Sequence, residues 1–172
     1  MWVFGYGSLL WYTNFPTEAA IKGTVRGFAR RFWQKSPDHR GTLERPGRTV
    51  TLVPADGEAT WGVAYRVPDL EVAWVREYLE WREKAGYEMK QSETNEHYAG
   101  VEDVGEIAET IVSCIGPSGT NIEYLLRLAA AVRNGNPLIQ DQHLFALEER
   151  VLQICRKRSI EDACFADLGI EL

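Results

Sequence analysis

The sequence has few cysteines and no long apolar run, and both absences narrow the class of protein. Three cysteines among 172 residues form no C-x-x-C pair, so one is left over from any disulfide framework, which favours reduced thiols. Gly5 interrupts the apolar start, no basic segment precedes it, and no later stretch approaches the length of a membrane span. We therefore expect a protein of the cytosol that binds no membrane.

An excess of positive charge is also missing, and histidines are scarce. The formal charge of −6 argues against a general affinity for nucleic acid, because a polyanion rewards a basic surface. Of the three histidines, His39 and His143 have no second His or Cys at ligand spacing, so a metal site is not expected. Both are predicted to have polar structural roles.

What the chain does contain is strand signals early and helix signals late. Runs rich in β-branched and aromatic residues, bounded by Gly, Pro and Asp, predict strands at 2–4, about 21–34, 49–53 and 59–67. Apolar residues at helical spacing predict four helices, from Asp69 to Gly86, at about 103–115, at about 121–133 capped by Asn121, and at about 141–157 started by Asp141. This order predicts one α+β domain over residues 1–172.

The opening of the chain is its most informative segment. The first strand runs into Gly5-Tyr6-Gly7-Ser8, where missing side chains let main-chain N–H groups approach a ligand. A phosphate loop has weak support, because the third glycine of G-x-G-x-x-G and the Lys-Ser/Thr of a Walker motif are absent. Ser8 is interpreted as a hydrogen-bonding group rather than a nucleophile. A tight turn that needs glycine dihedrals remains an equal alternative.

Glu83 is a carboxylate at a position where an apolar side chain is expected. It follows Val72, Val75 and Leu79 at helical spacing, in the last turn before Gly86. Partial burial and the negative end of the helix dipole both predict a raised pKa, which suits a general base. The alternative is that Glu83 pairs with a core-facing arginine, such as Arg82 or one of the arginines before residue 50.

Several motifs taken together resemble the ChaC family of glutathione-specific γ-glutamylcyclotransferases, especially its short animal-type branch. The matching segments, which cover about residues 1–87 and 95–150, are Val3-Phe4-Gly5-Tyr6-Gly7-Ser8-Leu9, Arg30-Arg31-Phe32-Trp33-Gln34, Asp38-His39-Arg40-Gly41, Pro46-Gly47-Arg48, Trp61-Gly62-Val63-Ala64-Tyr65, Arg82-Glu83-Lys84 with Gly86-Tyr87, Gly116-Pro117-Ser118-Gly119, and Glu123-Tyr124-Leu125. The glycine loop alone is not specific for this family, but the segments taken together are.

The resemblance implies a fold, a reaction and a site. The fold is a small mixed or antiparallel β-barrel-like sheet with packed helices, and the reaction converts glutathione to 5-oxoproline and Cys-Gly with no cofactor and no metal. Glu83 is then the catalytic base. The residues expected to bind substrate are Val3, Phe4, Gly5, Tyr6, Gly7, Ser8, Leu9, Arg31, Arg40, Arg48, Tyr87 and Tyr124.

One departure from the family pattern concerns the segment after Tyr87. Compared with this sequence, family members carry roughly twenty more residues there, which is enough for two strands. Losing two strands opens the sheet or favours strand exchange with a second chain, so monomer and homodimer both stay open. Two other functions also stay open: a cyclotransferase for other γ-glutamyl peptides or amines, and a non-catalytic homologue that binds glutathione or a partner.

Overall fold

The computed structural model describes residues 1–82 and 95–172, and in these residues strands come first and helices follow. In chain order the elements are β1 (Trp2–Gly5), β2 (Ala19–Ser36), β3 (Gly47–Arg66), α1 (Val72–Arg82), α2 (Val104–Ser113), β4 (Ile115–Gly116), β5 (Gly119–Thr120), α3 (Asn121–Gly135), α4 (Gln142–Arg158) and α5 (Ala163–Leu168). Short 3₁₀ turns lie at Ser8–Leu10 and Asp69–Glu71. This order confirms the predicted α+β class.

The main sheet is antiparallel and, within the described residues, has three strands in the order β1-β3-β2. It is open, so the barrel-like closure expected from the resemblance is not formed by this part of the chain. The expected separate strands at 49–53 and 59–67 are one continuous strand, β3. Gly57 (φ 80°) and Gly27 (φ 79°) lie at a register shift between β2 and β3. The Asp56-Gly57 signal therefore marks an irregularity inside a long strand rather than a turn.

The helix caps correct two predicted boundaries. Asp141 caps α4 as predicted, since its side chain accepts a hydrogen bond from the N–H of Leu144. The cap of α3 is Thr120 instead of Asn121, whose side chain is fully buried against β3. Asp69 begins a 3₁₀ turn ahead of α1 instead of capping it. The predicted stop at Gly86 lies outside the described residues.

Apolar side chains of the described residues form a larger and a smaller core. The larger one packs β2 and β3 against α2 to α5 around Phe32, Trp61 and Leu128. The smaller one holds α1 against β1 and β3 through Val75, with Val72 and Leu79 beside it. The apolar stripe predicted for α1 is thus confirmed up to the end of its described part, and the sequence places Glu83 next on that stripe.

The described residues contain neither a membrane-spanning helix nor a cluster of metal-binding side chains. No helix there combines the length and the apolar character needed to cross a membrane. Nor do three or more His, Cys, Asp or Glu side chains of that part of the chain gather in a group that suits a metal ion. All three cysteines are free and buried, as the odd count predicted.

Candidate active site

A cavity of about 770 Å³ opens between the loop after β1, the α1 helix and the start of α3. Its described walls consist of Tyr6, Gly7, Ser8, Leu9, Trp11, Tyr12, Asn14, Gln34, Lys35, Ser36, Asp38, His39, Arg40, Thr49, Val50, Thr51, Tyr78, Trp81, Arg82, Ser118, Glu123, Tyr124 and Arg127. The volume is in the range of small-molecule sites. Residues from distant parts of the sequence therefore share one concave surface.

The glycines of the first loop are required by close packing. A Cβ on Gly5 would lie 2.8 Å from the Cβ of Leu9, and one on Gly7 would lie 3.0 Å from Val50 Cγ2 and 3.1 Å from the Tyr124 hydroxyl. Neither glycine has a positive φ, so close packing rather than a left-handed backbone requires glycine at these two positions. The loop lies directly against β3 and α3, and it brings its main chain to the cavity wall.

Arg82, at the end of the described part of α1, joins this helix to the glycine loop. Its Nη2 donates a hydrogen bond to Ser8 Oγ (2.8 Å), and its Nη1 donates to the Tyr12 carbonyl (3.3 Å). The guanidinium also lies over the Tyr12 ring, 5.3 Å from the centroid. Ser8 thus acts as a hydrogen-bonding group, as predicted, and its described partner is an arginine.

A second charged group lies on the opposite wall. Arg40 Nη1 donates to Glu123 Oε2 (2.6 Å) and to the Thr120 carbonyl (2.9 Å), while Arg127 Nε donates to Glu123 Oε1 (2.8 Å). Partial burial acts to raise the pKa of Glu123, but the hydrogen bonds from Arg40 and Arg127 outweigh it and the pKa is lowered. Two cations therefore share the Glu123 carboxylate, and Arg127 also pairs with Asp167 at 3.3 Å.

Tyr124 connects this charged group to the apolar floor. Its ring packs edge-on against Trp11 and Phe32, with centroids 5.5 and 6.0 Å away. The Arg40 guanidinium lies over the same ring at 5.7 Å. The Val50 N–H donates to the Tyr124 hydroxyl at 3.4 Å. Aromatic packing on one side and β3 on the other fix the position of Tyr124 at the base of the cavity.

The structure brings together about half of the residues predicted to bind substrate. Those that line the cavity are Tyr6, Gly7, Ser8, Leu9, Arg40 and Tyr124. Those described elsewhere are Val3, Phe4 and Gly5 in β1, Arg31, which pairs with Glu58, and Arg48, which pairs with Glu102. Glu83 and Tyr87 lie outside the described residues, so their roles stay predictions.

Several polar residues of the cavity wall were not predicted to take part in the site, among them His39, Glu123 and Arg127. His39 was assigned a structural role, although its neighbour Arg40 was chosen from the same Asp-His-Arg-Gly motif. Glu123 and Arg127 lie one helical turn apart on α3, a spacing at which oppositely charged side chains pair. The pairing of Glu123 with Arg40 joins positions 83 residues apart, which no local pattern reveals.

The fold and the cavity define an α+β domain with a polar, partly cationic small-molecule site. The family model of ChaC-like proteins matches residues 1–154. The chain therefore belongs to the ChaC-like family, and the resemblance seen in its motifs is confirmed.

Curated relatives are similar over most of the chain. A protein of Danio rerio named glutathione-specific gamma-glutamylcyclotransferase 1 is 38% identical, with 91% of both chains covered. A Schizosaccharomyces pombe glutathione-specific gamma-glutamylcyclotransferase is 33% identical and covers 91% of this chain and 95% of its own. The zebrafish alignment is 178 positions long, more than this whole chain, so the relative has residues without a counterpart here. That excess agrees with the predicted shortening.

A solved structure supports the same grouping at the level of the fold. A yeast gamma-glutamylcyclotransferase specific to glutathione superimposes with a TM-score of 0.82, at 31% identity, over 89% of this chain and 96% of its own. Similarity of this extent spans most of the fold.

Proposed function

We propose that the protein is a γ-glutamylcyclotransferase that converts glutathione to 5-oxo-L-proline and L-cysteinylglycine. The observation that carries the proposal is the cavity itself, which places the Tyr6 to Leu9 loop beside the helix that leads directly to Glu83 in a ChaC-like chain. The printed names of the relatives support glutathione as the substrate.

The charge of the cavity suits this substrate. Its described walls contain the cations Lys35, Arg40, Arg82 and Arg127, against the carboxylates of Asp38 and Glu123. Glutathione has two carboxylates and one ammonium, so it is anionic near neutral pH. Guanidinium groups bind carboxylates in a planar, two-point geometry, and Arg40 is the one predicted binding arginine that reaches the cavity.

Glu83 is the proposed general base of the reaction. The α-ammonium of the γ-glutamyl group must lose a proton before its nitrogen attacks the γ-carbonyl, and a carboxylate with a raised pKa accepts that proton. The amine and the carbonyl belong to one molecule, so the protein mainly holds the substrate in the folded conformation that closes a five-membered ring.

The remaining steps need a site for negative charge and a proton for the leaving group. As the C–N bond forms, the carbonyl oxygen becomes an oxyanion, for which main-chain N–H groups of the Gly5 to Leu9 loop are the proposed donors. The 3₁₀ turn at Ser8–Leu10 favours this, because the first N–H groups of a helical turn have no acceptor within the turn. The oxyanion then collapses and the amide C–N bond breaks, while the proton held by Glu83 passes to the departing nitrogen. The ring nitrogen loses a second proton as it becomes the lactam N–H, and the Cys-Gly amine takes up this proton as an ammonium.

The replacement Glu83→Gln tests the proposal. The amide has the shape of the carboxylate but accepts no proton at neutral pH, so release of 5-oxoproline and Cys-Gly should fall by at least ~10²-fold. Glu80→Gln is the matched control, since Glu80 is an exposed residue of the same helix, and its turnover should equal that of the wild type. Folded wild-type protein that forms no product, or undiminished turnover in Glu83→Gln, refutes the proposal.

Two measurements separate the remaining alternatives. Comparing turnover of glutathione with that of γ-glutamyl-alanine tests whether the Cys-Gly half is recognised, because the alanine compound lacks the second peptide bond. Calorimetric binding of glutathione without product release would identify a non-catalytic homologue.

Unpaired, buried cysteines support a reducing compartment, the cytosol. Equilibrium sedimentation decides between monomer and homodimer.

A further inference from the structure

The main-chain carbonyl of Arg82 accepts a hydrogen bond from a side chain far away in the sequence. His39 Nε2 lies 3.0 Å from this oxygen, and both residues line the cavity. A carbonyl oxygen only accepts, so Nε2 carries the proton of this bond. The imidazole therefore holds the main chain of α1 at the residue that directly precedes Glu83 in the sequence.

Two contacts with Ser118 and one with Asp38 restrain His39 itself. Its Nδ1 lies 3.0 Å from Ser118 Oγ, and its main-chain carbonyl accepts a hydrogen bond from the Ser118 N–H at 3.0 Å. The hairpin of β4 and β5 comes this close because Gly116 has no side chain: a Cβ there would lie 2.3 Å from the His39 carbonyl oxygen. Asp38 Oδ2 lies 3.8 Å from Nε2. Ser118 and Asp38 therefore restrain the orientation of the same ring that contacts α1.

The other end of Arg82 is anchored on a different wall. Its guanidinium contacts Ser8 and Tyr12, as described above. Side chain and main chain of the same residue are thus tied to two independent segments, the glycine loop and the Asp38 to Arg40 turn. A peptide group is planar, so a hydrogen bond to its oxygen restrains the whole group, whose other end is the Cα of the next residue.

We propose that His39, oriented by Ser118, is a positioning residue that fixes the Arg82 peptide group, to which the proposed base Glu83 is directly bonded in the chain. This inference rests on the proposed function. His39 neither takes up the proton nor binds the substrate. It acts on the rate because a displacement of about 1 Å between a base and its target costs on the order of 10²-fold in turnover.

The two amide replacements of His39 separate the contacts of its two nitrogens. Gln is long enough to place an N–H near the position of Nε2 and to reach the Arg82 carbonyl, whereas Asn reaches only as far as Nδ1 and keeps the Ser118 side. His39→Asn should lower kcat by about 10- to 100-fold with KM for glutathione within about threefold. His39→Gln should recover most of that loss. Ser118→Ala should lower kcat by a smaller factor.

The closing experiment combines His39→Asn with Glu83→Gln and compares all variants by 5-oxoproline release. A residue that acts through the base has nothing to contribute once the base is gone, so His39→Asn should change the residual rate of Glu83→Gln by less than about twofold. His97→Asn, the same change at a histidine outside the described cavity wall, is the matched control and should keep the wild-type rate. Circular dichroism confirms that each variant is folded.

The possible results separate the two proposals. If Glu83→Gln is impaired while folded His39→Asn keeps its kcat, the function stands and the positioning role is overturned. Losses that multiply in the double variant, or a change in KM alone, also overturn it, because they assign His39 a catalytic or binding role of its own. A wild type without turnover, or a fully active Glu83→Gln, overturns both proposals.

Discussion

Arg40 shows how one residue acquires its role from its neighbours. The resemblance implied substrate binding equally for Arg31, Arg40 and Arg48. In the structure Arg31 is occupied by Glu58 and Arg48 by Glu102, both at 2.8 Å. Arg40 also has a carboxylate partner, but it shares Glu123 with Arg127. Arg40, unlike Arg31 and Arg48, lies on the cavity wall.

The replacement Arg40→Gln should weaken binding of glutathione more than it slows the chemistry. Loss of a charge-assisted contact to a substrate carboxylate corresponds to about 1.5–3 kcal/mol, so KM should rise roughly 10- to 100-fold. Arg26→Gln, at an exposed position on β2, is the control and should leave KM unchanged. Steady-state kinetics of both variants make the comparison. An unchanged KM in folded Arg40→Gln would exclude Arg40 from substrate binding.

At the scale of elements, the attachment of α3 to the sheet places Tyr124 and Glu123. The buried Asn121 amide accepts a hydrogen bond from the Arg48 N–H and donates one to the Arg48 carbonyl at 2.8 Å. Asn121 therefore imitates a neighbouring strand for one residue of β3. This explains why a fully buried polar side chain stands at the start of a helix that Thr120 already caps.

The replacement Asn121→Ala should destabilise the protein, because it leaves the N–H and C=O of Arg48 without this partner in a buried place. The free energy of unfolding should fall by about 1–3 kcal/mol, as measured by urea denaturation. Asn134→Ala, at an exposed position in the same helix, should lie within about 0.5 kcal/mol of the wild type. Equal stability of the two variants would show that the bridge to β3 contributes nothing.

At the scale of the whole molecule, His143 couples the packing of α4 on the sheet to pH. Its Nε2 accepts a hydrogen bond from the Phe32 N–H at 3.1 Å, and its ring lies beside Phe32 and Trp33. Burial, with a further contribution from Arg31, lowers the pKa of His143 to about 4. The folded protein therefore keeps the ring neutral well below the usual pKa of histidine.

Acid should accordingly weaken the fold before the carboxylates titrate. Between about pH 6.5 and pH 4 the unfolded chain binds a proton at His143 that the folded chain does not, so stability present at neutral pH is lost as the pH falls, by up to about 3 kcal/mol. His143→Gln keeps an acceptor but does not titrate. Urea denaturation at several pH values should show a shallower loss in the variant, and identical pH slopes would contradict the role of His143.

The sequence by itself determined the class of the fold, the cap of α4 and the family, because these depend on short-range signals. Periodic apolar residues, caps such as Asp141 and the free cysteines are all local or compositional properties. The same holds for the glycine loop, whose residues from Tyr6 to Leu9 were predicted to face a ligand and do line the cavity.

Only the tertiary structure decided which charged residues share the cavity. His39 and Arg40 are neighbours in one turn, whereas Glu123 lies on α3, 83 residues from its partner Arg40. Ser118, the partner of His39, is 79 residues away from it. The open sheet and the single long β3 were likewise settled by strand pairing rather than by turn signals. Pairing and ion-pair partners depend on which surfaces meet after folding, and a one-dimensional pattern contains the candidates for such contacts but not the choice among them.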